Sequence, residues 1–189
     1  MFRTPYNATQ PRTLLRVAGA TLLVLLACAV NATAQPDPES ASNHVGSMSD
    51  LSGKQRALLM VFKSRVVDVS DADRAIIDDV LKADPQPKGR FRWVYNELAS
   101  RLNKYIRKYG SLSPASDLSD ADYVIFFNVV EYRRILNAVY PYGELFVIVK
   151  GSPQDSKPPR IVWRAKKVLF AGDAIRDLIR DLKAFRGET

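Results

Sequence analysis

The 189-residue chain carries 28 Lys and Arg against 20 Asp and Glu, a formal net charge of +8, with one histidine and one cysteine. Its length gives room for one domain with a genuine core. With Cys28 in an apolar leader and His44 as the lone imidazole, the folded part holds no internal disulfide, no thiolate metal site and no Ser–His or Cys–His nucleophile pair.

The chain begins with a targeting pattern. Arg3, Arg12 and Arg16 precede an apolar run over 17–30, and Asn31-Ala32-Thr33-Ala34-Gln35 follows with small residues at the positions a signal peptidase reads. The run is shorter than the roughly 20 residues of a spanning helix. Residues 1–34 therefore read as a secretory signal peptide cleaved between Ala34 and Gln35. A second fate stays open, because Leu25-Leu26-Ala27-Cys28 resembles a lipoprotein box in which Cys28 is lipidated; Leu26 is bulkier than that box usually carries. The expected location is the periplasm or outer membrane, with membrane association only if Cys28 is lipidated. Without the three leader arginines, 28 basic residues become 25 against 20 acidic, a modest bias.

Residues 35–53, rich in Pro, Asp, Ser, Asn and Gly, read as a disordered tether that leaves His44 solvated. One α/β domain is expected over 54–189. Residues 57–62 and 66–69 read as a first strand interrupted by Lys63 and Arg65. Ser70 or Asp71 caps a helix in which Ile76, Val80, Ile77 and Leu81 recur at helical spacing, and Pro85 and Pro87 end it. A second helix over 90–109 carries Phe91, Val94, Leu98, Leu102, Tyr105 and Tyr109 as one apolar stripe, with Gly110 as its left-handed cap. Residues 111–120 form a loop into Ala121-Asp122-Tyr123-Val124-Ile125-Phe126-Phe127-Asn128-Val129-Val130, whose near-continuous apolar run reads as the central strand, running on to Arg133.

Beyond it the pattern turns to hairpins. Tyr140-Pro141-Tyr142-Gly143 reads as a turn, and 144–150 as a strand with Leu145, Val147 and Val149 on one face. After a loop over 151–159, residues 160–170 alternate Ile161, Trp163 and Ala165 inward with Arg160, Arg164 and Lys166 outward, as expected of a sheet with one wet face. Asp173 caps a terminal helix with Ile175, Leu178, Ile179, Leu182 and Phe185 inside and Arg176, Asp177, Arg180, Asp181 and Lys183 outside. The predicted fold is a two-layer α/β (α+β) sandwich in β-α-α-β-β-β-α order. It has a mixed sheet of about four strands, the first and central strands parallel through a right-handed crossover, and helices on one face.

Neither Gly-x-Gly-x-x-Gly nor the Walker pattern occurs, so no phosphate-cradling loop, cofactor or metal is expected. Asp117, Asp120 and Asp122 cluster before the central strand; turn and cap roles are the plainer reading, and a periplasmic enzyme using these carboxylates is the remote alternative. The second helix carries Lys88, Arg90, Arg92, Arg101, Lys104, Arg107 and Lys108 against Glu97, with Trp93 and Tyr95 interleaved. An ordinary solvated helix face is the plainer reading; since export disfavours nucleic acid, the functional alternative is that Arg101, Lys104 and Lys108 meet anionic lipid, lipopolysaccharide or a cell-wall polymer. Tyr140, Pro141 and Tyr142, near Arg133 and Arg134, form a second candidate contact, for an envelope protein partner.

The leader, the tether, the amphipathic helix ending in Tyr109-Gly110, Asp120-Ala121-Asp122-Tyr123-Val124-Ile125 and Val162-Trp163-Arg164-Ala165 together resemble the small envelope domains of bacterial lipoproteins, akin to the N-terminal domain of TolB. The resemblance covers residues 58 to about 185. It implies a non-enzymatic accessory or binding domain of the periplasm or outer membrane.

Overall fold

The computed structural model describes residues 44–64, 72–87, 89–151, 157–168 and 170–189, all within the unit Pro36–Thr189. The leader, the sites at Cys28, Ala34 and Gln35, the strand residues 66–69, the cap at Ser70 or Asp71, and Lys88 lie outside the described residues.

The described strands are β1 (Arg56–Phe62), β2 (Ser113–Pro114), β3 (Tyr123–Ile135), β4 (Ala138–Val149) and β5 (Arg160–Val168). Three helices accompany them: α1 (Ala72–Lys82), α2 (Phe91–Tyr109) and α3 (Ala171–Arg186). They form a mixed α+β fold around a sheet ordered β2-β1-β3-β4-β5. β1 pairs in parallel with β2 and β3, and the β3–β4 and β4–β5 pairs are antiparallel. β3 thus lies at the centre, as its apolar run predicts. The fifth strand is β2, two residues from the stretch expected to be loop; so short a pairing leaves no periodicity to read.

The layers also differ from expectation. Tyr123, Ile125, Phe127, Leu145, Val147 and Val149 face a core closed by α2 and α3, which contribute Val94, Leu98, Leu102, Ile175, Leu178 and Leu182. The alternate residues Leu58, Met60, Val124, Phe126, Phe146 and Ile148 face a second core closed by Ile76, Ile77 and Val80 of α1. Helices therefore cover both faces, and the continuous apolar runs of β1, β3 and β4 are what two covered faces require. The simple alternation expected of β5 is broken by a register shift between Val147 and Ile148: Ile161 joins the α1 core, while Val162 is buried on the opposite side with Trp163 packed beside it. Arg164 is not on a wet face. It stacks 4.8 Å above the Phe146 ring and pairs with Asp73 of α1.

Helix α2 ends as its sequence predicts, Gly110 adopting φ 66° while its N–H bonds to the Ile106 carbonyl at 2.8 Å. The turn between β3 and β4 does not fall at 140–143. It falls at Leu136 and Asn137, and Tyr140, Pro141 and Tyr142 are ladder residues opposite Arg133, Tyr132 and Glu131. Pro141 is tolerated because β5 pairs with β4 only as far as Gly143, so the missing N–H lies on an edge without a strand partner.

The folded unit also starts before Lys54, which corrects the tether over its described residues. The Gly46 N–H bonds to the Ile161 carbonyl at 2.8 Å and the Ile161 N–H to the His44 carbonyl at 2.9 Å, adding this segment to the β5 edge. A single turn, Met48–Leu51, then buries Leu51 in the first core. Asp50 fixes it: its carboxylate accepts Arg160 Nε at 2.9 Å, Arg160 Nη2 at 2.6 Å and the Ser47 N–H at 3.1 Å. Arg160 above all holds the Asp50 carboxyl well below the usual range, against an opposing effect of burial. A depressed carboxylate stabilises the fold above its unfolded pKa of about 3.9, and that stability is lost as pH falls toward the folded value. Asp50→Asn is therefore expected to lower stability by about 2 kcal/mol at pH 7. Urea titrations should show the gap to wild type narrowing below about pH 4; a gap independent of pH would assign the loss to packing.

Candidate functional site

The two helices on the first face run in the same direction. Gly172, in the first turn of α3, lies against Glu97 and Arg101, and at the other end Lys183 sits 5.2 Å above the ring of Tyr109. A Cβ on Gly172 would meet only the ends of the Glu97 and Arg101 side chains, which lie over the first turn of α3. Their apolar stripes are turned to the sheet. The residues flanking those stripes meet above the seam, Arg101, Lys104, Tyr105 and Lys108 from α2 and Arg176, Ile179 and Lys183 from α3, with Tyr109 at one end. They line an open groove of about 320 Å³.

The groove is cationic. Arg101 has Glu97 one turn away at 3.9 Å, and Arg176 pairs with Asp173, both pairs on the exposed surface. Among the described residues Lys104, Lys108 and Lys183 have no carboxylate at salt-bridge distance. Lys108 and then Lys183 draw the exposed Tyr109 phenol below its ordinary pKa, Lys108 lying 4.8 Å from the ring centre. The phenol donates a hydrogen bond to the Thr189 carbonyl at 3.1 Å. Part of this charge serves the helices, whose carbonyl ends carry partial negative charge: Lys108 and Lys183 stand in the last turns of α2 and α3. Lys104 and Arg101 stand further back, beyond the reach of that effect. Cations on two rims and apolar and aromatic groups on the floor suit an anionic group carried on a less polar body.

The structure brings together Arg101, Lys104 and Lys108 and places Arg90 away from them. Arg90 stacks 5.2 Å above Tyr132, at the opposite end of α2. Arg176, Ile179 and Lys183 were expected only as parts of a terminal helix; their three- and four-residue spacing puts them in one row, but no local pattern names the helix that row faces.

The carboxylates before β3 are all engaged in structural contacts. Asp122 accepts the backbone N–H groups of Gln55 and Arg56 at 2.8 Å each, joining β3 to the start of β1. Asp120 pairs with Arg56. Asp117 accepts Ser119 Oγ at 2.5 Å and the Asp120 N–H at 3.0 Å, and these bonds, Ser119 first, hold its carboxyl below the usual range. Only the Asp117 bonds are the expected turn contacts; those of Asp122 and Asp120 are long-range ties to the start of β1.

The second candidate contact is redrawn. Arg133 stacks 3.6 Å above the Tyr142 ring and donates to Glu131 at 2.5 Å, Tyr140 packs edge-on against Phe170 at 5.1 Å, and Pro141 is buried. Arg134 is exposed near the real tip. Among the described residues no cluster of His, Cys, Asp or Glu could hold a metal ion, and no helix is long and apolar enough to cross a membrane. No family model, no curated protein and no solved structure matches this chain.

Proposed function

We propose that this is an exported protein of the bacterial envelope that acts by binding rather than catalysis, and that it takes the anionic group of an envelope lipid or cell-wall polymer into the α2–α3 groove. The observation that carries the reading is the convergence of Arg101, Lys104 and Lys108 with Arg176 and Lys183 around Tyr105, Tyr109 and Ile179, three of the lysines having no carboxylate at salt-bridge distance among the described residues. The leader motif supplies the address, and the resemblance of residues 58–185 to TolB N-terminal-like domains points the same way. The ligand's shared chemistry is a phosphate or carboxylate.

The test uses the protein as its host processes it, titrated with soluble polyphosphate and, separately, with vesicles with and without anionic phospholipid. Each basic residue near an anionic surface contributes on the order of 1 kcal/mol, so the triple variant R101E/K104E/K108E should bind at least about 100-fold more weakly. Wild-type binding should weaken as salt rises. Affinity for vesicles alone would identify a lipid headgroup, and affinity for polyphosphate as well would identify a polymer. Equal binding by wild type and variant would remove the groove from the reading.

A further inference from the structure

The β3–β4 hairpin projects beyond the sheet. β1 pairs with β3 only as far as Asn128, and β5 pairs with β4 only as far as Gly143, so residues 131–142 continue as a two-stranded ribbon. At about 3.4 Å per residue the ribbon reaches roughly 20 Å past Gly143. Such ribbons are marginal alone. This one is braced near its base by Arg90 on Tyr132, Arg133 on Tyr142 and Tyr140 on Phe170. Its tip lacks such ring contacts and, apart from Asn137, presents apolar side chains: Leu136 is 90 % exposed, Val139 53 % and Ile135 38 %.

Leu136 is also the one non-glycine among the described residues with positive φ, at 53°. Glycine would hold that turn without steric cost, and a leucine there pays backbone strain to present its side chain to solvent. Strain of this kind points to a use for the side chain. The sequence of polarity along the ribbon identifies the use. Leu136 and Asn137 form the end with Ile135 just behind, Arg134 stands opposite Val139, Arg133 and Tyr140 form the next pair three residues behind the turn, and Tyr132, Tyr142 and Glu131 follow. Three residues of strand span about 10 Å, close to the 5–10 Å depth at which apolar groups seat in the headgroup and acyl boundary. Arginines and tyrosines at that distance lie level with anionic headgroups.

We propose that the hairpin tip is a membrane-insertion element: Leu136, with Ile135 and Val139, enters the interfacial region of an anionic bilayer while Arg133 and Arg134 meet its headgroups. This is independent of the groove on α2 and α3 and of lipidation at Cys28, and the readout is local to the tip for that reason. Leu136→Trp in the processed protein, mixed with anionic vesicles containing brominated acyl chains, should show blue-shifted emission and strong quenching beyond that of Trp93 and Trp163 in wild type. The signal should persist in the R101E/K104E/K108E background, which separates failure of the hairpin from failure of the groove. Hydrogen exchange over 133–140 should slow about tenfold or more on adding vesicles to wild type, the scale of burying one leucine. It should change less than twofold in Leu136→Gly, a variant whose backbone suits the turn and which is expected to unfold at the same temperature as wild type or higher. Emission at position 136 unaltered by vesicles would overturn the proposal. So would protection of 133–140 that rises with protein concentration in the absence of lipid, which would make the tip a contact between two copies.

Discussion

Phe126→Ala is expected to lower the free energy of unfolding by about 3–5 kcal/mol, read as a shifted midpoint in urea. Phe126 is fully buried on β3, the middle strand, and faces the core beneath α1. Its ring lies 4.4 Å from that of Phe62 and 6.0 Å from that of Phe146. Phe146 in turn supports Arg164, which ties β5 to Asp73 of α1. Truncation opens a void under one short helix of 11 residues, and α1 cannot follow it inward without leaving Asp73 and Arg164 apart. A loss under about 1 kcal/mol would mean that α1 collapses freely onto the sheet and that the second face is not a close-packed core.

Gly143→Ala is expected to cost about 3 kcal/mol or more, through backbone rather than cavity. A Cβ there would meet the Asn128 carbonyl oxygen at 2.1 Å and the Phe127 ring at 3.0 Å. The Phe127 ring is fully buried in the first core, and the carbonyl belongs to the strand paired with β4 and cannot move aside. Gly143 also stands where the register shifts on both sides, between Val129 and Glu131 of β3 and against β5 between Gly143 and Leu145. This is the close backbone approach that requires glycine in a strand. The same residue is the root of the projecting ribbon, so the variant should speed hydrogen exchange over 131–142 as well as lower stability. A variant of unchanged stability would show that the β3–β4 ladder can part here at no cost.

Gly143 also shows why turn composition and the real turn do not coincide in this hairpin. Tyr140-Pro141-Tyr142-Gly143 has turn composition, yet Pro141 occupies an open edge and Gly143 a tight crossing of strands. Both residue types mark turns and strand irregularities alike. The true turn, Leu136-Asn137, lacks glycine and proline, and its lone Asn137 is a weaker turn mark than the neighbouring Pro141 and Gly143. Leu51 escaped in the same manner, a lone apolar residue in a polar stretch, buried because Arg160, 110 positions away, clamps Asp50.

By itself the sequence determined what local periodicity controls. The 94-98-102-105 stripe and Gly110 determined α2 and its end, and the near-continuous apolar run of 123–129, broken only by Asn128, determined the central strand buried on both sides. Three things only tertiary structure decided: that α1 covers the face opposite α2 and α3, that Arg176 and Lys183 join Arg101, Lys104 and Lys108 along one groove, and that Leu136 stands at the outermost point of the hairpin. Periodicity records which side of an element is buried, through the free energy of removing apolar surface from water. That energy is non-directional, so it leaves open which element supplies the cover. The choice is made by strand register, by the close backbone approach at Gly143, and by ion pairs such as Asp73–Arg164 that join distant parts of the chain.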